Sequence, residues 1–259
     1  MPRSTYYRLR DEPEREEAED PIADAVEEEF RKSGGRYGAR RAKRALAKRK
    51  ITASRRRIGE AMKPRDLASC YTKAKFEPHP GKPNEAELPN VLNREFDGHA
   101  PRAHVVSDLA YVRVLGAWCY VRLLIDLYNR EVVGHAAGAR KDADLVKSAF
   151  ATVALPLFDI DVFHSDRGSE FDNGALDELF EVFGTTRSLP KKGCPFDSAV
   201  DESTNKTLKA EFVYQEQFSS LYDLQIELND YVWRYNNGRM HSTLGYMSPV
   251  EFRKAGLSL

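Results

Sequence analysis

The chain has few cysteines. Cys70, Cys119 and Cys194 are an odd set, far apart in 259 residues. They exclude a disulfide framework and suit a reducing compartment. There is no Cys-x-x-Cys and no Cys/His pairing at zinc spacing, which excludes the common structural zinc sites. No apolar run reaches membrane-spanning length, and no signal-peptide apolar core follows Met1, so the expectation is a cytoplasmic protein without a membrane partner. Net charge is also missing: 40 Lys or Arg balance 40 Asp or Glu. The zero total conceals an uneven distribution. Residues 36–75 hold fifteen Lys or Arg and two acids, Glu60 and Asp66, whereas residues 11–29 hold eleven acids against Arg15. A basic segment of this density points to nucleic acid.

What is present centres on residues 163–171, Phe-His-Ser-Asp-Arg-Gly-Ser-Glu-Phe. An apolar run, Leu157 to Phe163, leads into it and reads as a buried strand. It ends in a carboxylate, Asp166, followed by an Arg-Gly-Ser turn signal. A carboxylate just past a buried strand is where α/β folds place chemistry. Asp108 lies on an earlier apolar strand and Glu202 on a later helix. Three carboxylates on separate elements, with lysines near the last, suit a divalent-metal site for phosphate chemistry.

The length allows one large domain or two small ones. Ile22, Ala25, Val26 and Phe30 mark an amphipathic helix. Residues 37–46 give a second helix, and Thr52 or Ser54 is placed to cap a third containing Ile58 and Met62. Two short helices, a turn and dense Arg resemble a helix-turn-helix, with Arg40, Arg41, Arg44, Arg55 and Arg56 as candidate phosphate contacts. Prolines and glycines make residues 67–101 a linker by composition. Three strands with short connections, 104–112, 118–126 and 131–137, make an antiparallel meander. Helix, strand, helix and strand follow, up to residue 189. The reading is a ribonuclease-H-like α/β fold with a mixed five-stranded sheet flanked by helices, a helical N-terminal region and a helical C-terminal tail. The expected divisions are 1–75 (basic, helical), 76–97 (linker), 98–215 (core) and 216–259 (tail). Asp197 is expected to cap the Glu202 helix. Glu170 is read as a turn residue, His164 as a packing or hydrogen-bonding residue, and Trp118 and Trp233 as core.

Five segments carry a resemblance: VSDLAYV (106–112), LIDLYNREVVGH (124–135), FHSDRGSEF (163–171), KKGCPFDSAVDESTNKTLKAE (191–211) and YVWRYNNGRMHSTLGYMSPVEF (231–252). In order and spacing they resemble the integrase core and tail of transposases of insertion sequence family three, second reading frame. YGARRAKRALAKRKITASRRRI (37–58) is similar to that family's N-terminal helix-turn-helix segment. Thirty-five residues separate Asp166 from Glu202, the spacing of the family's Asp-Asp-Glu triad. The resemblance implies that Asp108, Asp166 and Glu202 bind Mg²⁺, with Mn²⁺ as a substitute. It further implies that they catalyse DNA end cleavage and 3′-hydroxyl strand transfer. Lys206 and Lys209 on the Glu202 helix, and Lys191 and Lys192 before it, are candidate DNA contacts. The implied partners are element ends, target DNA, further copies of the chain and an upstream-frame product, separate or fused, at the bacterial nucleoid. Fusion is expected to restore end specificity that the isolated chain lacks. His104, Ser198 and Thr204-Asn205 depart from the family pattern, the last two near Glu202. The alternatives are a catalytically silent DNA-binding protein and another ribonuclease-H-like nuclease.

Overall fold

The computed structural model describes residues 21–72, 88–154, 156–171, 173–191, 197 and 199–259. The acidic stretch before Pro21, the middle of the expected linker and Lys192 lie outside the described residues. The chain divides into two compact units, residues 1–73 and 74–259.

In the first unit, helices α1 (Pro21–Lys32), α2 (Ala39–Lys48) and α3 (Arg55–Met62) enclose a small core. Val26, Leu46 and Ile58 are fully buried in it, with Ala25, Ala42, Ala53 and Met62 around them. Each large aliphatic side chain so buried contributes roughly 1.5–3 kcal/mol. Gly34 and Gly35, at φ 63° and 74°, turn the chain after α1. The Ser54 side chain caps α3 by accepting from the Arg57 N–H at 3.1 Å. Arg65 ties α3's end to α1, at 2.7 Å from Asp24 and 2.9 Å from Glu27.

The second unit is built on one sheet: β1 (His104–Val114), β2 (Ala117–Asp126), β3 (Val132–Gly138), β4 (Val162–Ser165) and β5 (Thr186–Ser188). The strand order is β3-β2-β1-β4-β5. β1, β2 and β3 pair antiparallel, whereas β1–β4 and β4–β5 are parallel. Both faces are covered along the inner part of the sheet, where Val105, Val106 and Ala110 of β1 and Leu123, Leu124 and Ile125 of β2 are buried. One face packs on α6 (Ala199–Leu208, continued by a π turn, Lys209–Val213) and α7 (Leu221–Gly238), through Val106, Ala110, Phe212 and Tyr231. The other packs on α4 (Ala143–Ala151) and α5 (Gly174–Phe183), through Val105, Leu124, Phe150, Phe163 and Phe180. The last helix, α8 (Pro249–Lys254), carries a capping box between Ser248 and Glu251. Residues 88–97 lie against the second unit's core: Leu92 is buried in it, and the Leu189 N–H donates to Pro89 O at 3.3 Å.

Two expectations are corrected. The run Leu157–Phe163 is not one strand. Residues 157–159 form a single 3-10 turn behind Pro156, with Phe158 in solvent, and β4 begins at Val162. Proline's fixed φ favours that turn over an extended start. Neither tryptophan is core: Trp118 is only partly buried, and Trp233 is 68 % exposed, on the side of α7 away from buried Leu228, Tyr231 and Tyr235.

Helix α4 sits tightly on β3 at Gly134, where an added Cβ would lie 2.6 Å from the Ala149 carbonyl oxygen and 2.8 Å from Val153 Cγ2. Backbone oxygen cannot swing aside as a side chain can. Gly134→Ala is therefore expected to destabilise the protein by about 1–3 kcal/mol, the usual cost of overpacking. Urea unfolding followed by circular dichroism measures it.

Candidate active site

The site follows from register. β1 and β4 run parallel with Ser107 opposite Ser165, so the next residues, Asp108 and Asp166, stand side by side. Neighbouring strands lie about 4.8 Å apart, and residues at one register point to one face. Two carboxylates are thereby held together at the end of a buried strand pair. Asp108 Oδ1 accepts from the Leu109 N–H at 2.6 Å, and Oδ2 accepts from the Asn205 amide. Burial, then the charge of Asp166, raises the Asp108 carboxyl from its ordinary value to about 6. Burial likewise raises Asp166. Asp166 Oδ1 is buried without a hydrogen-bond partner among the described residues. Two crowded carboxylates with an unsatisfied buried oxygen form a donor set that fits a hard divalent cation.

Asn205 joins α6 to this pair, since it also donates to the Leu109 carbonyl at 3.3 Å. Glu202 lies three residues earlier on α6, one turn away on the same face. Glu202 is exposed. No group of three or more His, Cys, Asp or Glu side chains suited to a metal is gathered among the described residues. The structure thus brings Asp108 and Asp166 together and hooks Glu202's helix to Asp108, without drawing the Glu202 carboxylate itself into a cluster.

Beneath the pair lies a buried ion network that the sequence reading missed. Arg122 on β2 is fully buried. It donates to Ser107 Oγ at 3.0 Å and to the Glu170 carboxylate, and its guanidinium lies 4.6 Å from the Phe171 ring centre. Lys141 Nζ stands 3.6 Å from Glu170 Oε2. Glu170 lies in a 3-10 turn, residues 169–171, as expected, and is buried and paired there. Its carboxyl folds back over Gly168, where an added Cβ would lie 2.5 Å from Glu170 Cδ. The available signal was a lone Arg inside the apolar run 118–126.

The remaining candidates are dispersed. Lys206 is exposed on α6, and Lys209 is half-buried in the π turn, where its charge favours the ionised form of Asp108. Lys191 is exposed and its backbone N–H donates to Asp197 Oδ2 at 3.0 Å. Asn90, at 2.9 Å, and Arg94, at 2.6 Å, also donate to the Asp197 carboxylate, and Arg94 first among them holds it below the ordinary range. His164 is buried and bonded to Ser188 Oγ at 2.8 Å, and burial lowers it to about 4. Arg239 braces the tail, 3.0 Å from Glu211 and over the Tyr235 ring. In the first unit, Arg40, Arg41, Arg55 and Arg56 line one groove of about 750 Å³, joined by Arg36 and Tyr71, which the sequence reading did not single out. Arg44 is exposed on α2 and is not part of that lining.

Comparison with known proteins adds the family. The integrase core domain family matches residues 98–195 and again 202–257, and the HTH-like domain family matches residues 17–75. The insertion element IS600 uncharacterized 31 kDa protein of Shigella sonnei is 30 % identical over 259 residues, covering 97 % of this chain and 94 % of that protein. The transposase for insertion sequence element IS904 of Lactococcus lactis is 28 % identical over 237 residues, 90 % of this chain and 93 % of that protein. The second unit's fold recurs in the simian T-cell lymphotropic virus intasome in complex with PP2A regulatory subunit B56 gamma. That likeness has a TM-score of 0.50 and 14 % identity over 81 % of this chain and 69 % of that one.

The carboxylate pair has a pH signature. Asp108 titrates near 6 in the fold, above the roughly 3.9 of an unfolded Asp. Protonation therefore favours the folded state. This contribution is full below about pH 4 and is lost as pH rises through 6. In EDTA, Asp108→Asn is expected to melt above the unsubstituted protein at pH 8, with the difference closing towards pH 4. Thermal melts across that range check it.

Proposed function

The chain belongs to the transposases of insertion sequence family three, and on that premise we propose that Asp108, Asp166 and Glu202 are its Asp-Asp-Glu catalytic triad. The chain is a DNA transposase of the integrase type, with polynucleotidyl transfer as its reaction class. In this reading it cleaves element ends and joins the freed 3′-hydroxyl to a target phosphodiester. The observation that carries the reading is that Asp108 and Asp166 each directly follow the Ser107–Ser165 pair of the parallel strands, with α6 hooked to Asp108 through Asn205.

Bound Mg²⁺, or Mn²⁺ in its place, supplies Lewis-acid activation of the attacking oxygen and neutralises the leaving one. Asp108 and Asp166 offer the fixed oxygens for it, and Glu202 completes the set by turning in from α6. Arg122 and Lys141 keep the pair from repelling itself out of position. Lys206 and Lys209, on and just after α6, hold DNA phosphates as point charges. The arginine groove of the first unit holds duplex backbone, so its binding falls steeply with salt. The core spans 98–215 and the tail 216–259. Two DNA ends must meet, so at least two copies act together, and an upstream-frame product contributes end recognition at the nucleoid.

A second reading, a DNA-binding protein without turnover, draws on Glu202 standing exposed and outside any metal cluster. One experiment separates them. A labelled duplex carrying an element end is incubated with target plasmid in Mg²⁺ or EDTA. The expected outcome is Mg²⁺-dependent joined product, reduced to background in Glu202→Gln. DNA binding with no product in any condition, including fusion to the upstream product, supports the silent reading. Cleavage without joining indicates a nuclease.

A further inference from the structure

The β1–β2 hairpin runs past the carboxylate pair, and its outer half carries an aromatic face that the proposed chemistry does not use. Tyr111 and Arg113 on β1 stand opposite Tyr120 and Trp118 on β2. Alternation puts all four on one face of the sheet. The Tyr111 ring meets Trp118 edge-on at 6.0 Å and Tyr120 at 5.2 Å. The Arg113 guanidinium lies 4.0 Å from the Trp118 ring centre. The three rings are partly buried and Arg113 is exposed.

Three further observations define what this face fits. Its rim is cationic: Lys141 hydrogen-bonds the Tyr111 side chain, and Arg140 is exposed beside it. The neighbouring acid, Asp142, is occupied as the N-cap of α4 and by Arg140 at 3.0 Å. Lys141 also stands 3.6 Å from Glu170, so the face is continuous with the ion network under the carboxylate pair. Finally, the hairpin tip is Leu115-Gly116, at φ 46° and 83°. Leu115 is 82 % exposed in a backbone conformation that suits glycine or asparagine. A large apolar side chain held in solvent at such a position is a wedge shape, of the kind that enters between base steps.

We propose that this hairpin face is a stacking platform for unpaired nucleotides of the DNA substrate, with Leu115 at its tip parting the strands. The proposal rests on the transposase reading for its substrate and adds a contact for opened strands on the sheet face opposite Asp108, the side of Val105 and Leu124. Aromatic rings and a guanidinium plane accept any base face, and Arg113, Arg140 and Lys141 hold the phosphates between. A paired duplex keeps its bases stacked on one another and offers no such face.

The chain's two tryptophans make a test possible. In the full chain carrying Trp233→Phe, Trp118 is the only tryptophan. It is titrated, without metal, with a twelve-nucleotide oligothymidine, an abasic strand of equal length and a twelve-base-pair duplex. The expected result is saturable quenching by oligothymidine, at least tenfold tighter than by the abasic strand or duplex. Tyr111→Leu, which keeps apolar bulk, is expected to weaken oligothymidine binding about tenfold, the loss of one base–ring stack. It should leave binding of the abasic strand unchanged. Equal quenching by the abasic strand, which reports phosphate alone, overturns the proposal. So does no quenching by any strand, which leaves the face to a protein partner. So does unaltered oligothymidine binding in a folded Tyr111→Leu protein. None of these readouts needs catalysis, so failure of the transposase reading shows separately, as absence of joined product from the unsubstituted protein.

Discussion

The structure depends on one unfavourable pairing. Parallel register between β1 and β4 forces Asp108 and Asp166 to share a small, partly desolvated space. Like charges at strand spacing repel, and burial opposes each charge on its own account. The fold tolerates the pair because other groups offset it. Arg122 and Lys141 supply positive charge from the α4 side of the sheet, and Glu170 fixes Arg122 in place. Asn205 and the Leu109 N–H satisfy Asp108. Truncating one member of a buried pair such as Arg122–Glu170 generally costs several kcal/mol, because the survivor is left charged and unsolvated. The ion network is thus part of the site, although none of its members is a candidate for the chemistry.

The same geometry explains how strand, helix and chemistry connect. Asp108 belongs to a strand packed on both faces and therefore has little freedom. Glu202 belongs to a helix anchored three residues later by an amide that reads both the Asp108 side chain and the Leu109 carbonyl. A fixed pair and an exposed third carboxylate one turn from the anchor suit a site completed when cation and DNA bind. Asn205, one of the positions read as departing from the family pattern, makes the contact between helix and strand.

Much of this was legible in the sequence where signals are local. The end of an apolar run in Asp166, the Ser54 cap, the hairpin connections of β1 to β3 and the basic density of residues 36–75 all depend on neighbours in the chain. What was not legible depends on distant partners. Asp197 reads as a helix cap because caps are local, whereas the bonds its carboxylate accepts from Asn90 and Arg94 reach about a hundred residues back in the chain. Arg122 and Glu170 are 48 residues apart, and neither position announces the other. Trp233 was assigned to the core by its size, whereas the helix wheel sends it to solvent. The run before β4 was read by composition, and Pro156 decided otherwise.

Whether Asp108 and Asp166 form a cation site is read most directly from thermal stability against Mg²⁺ concentration at pH 8. A ligand that binds only the folded state raises the melting temperature in proportion to the logarithm of its concentration above its dissociation constant. The account predicts such a rise for the unsubstituted chain and its loss in Asp166→Asn. An equal rise in Asp166→Asn, or no rise in the unsubstituted chain with DNA present, would contradict it.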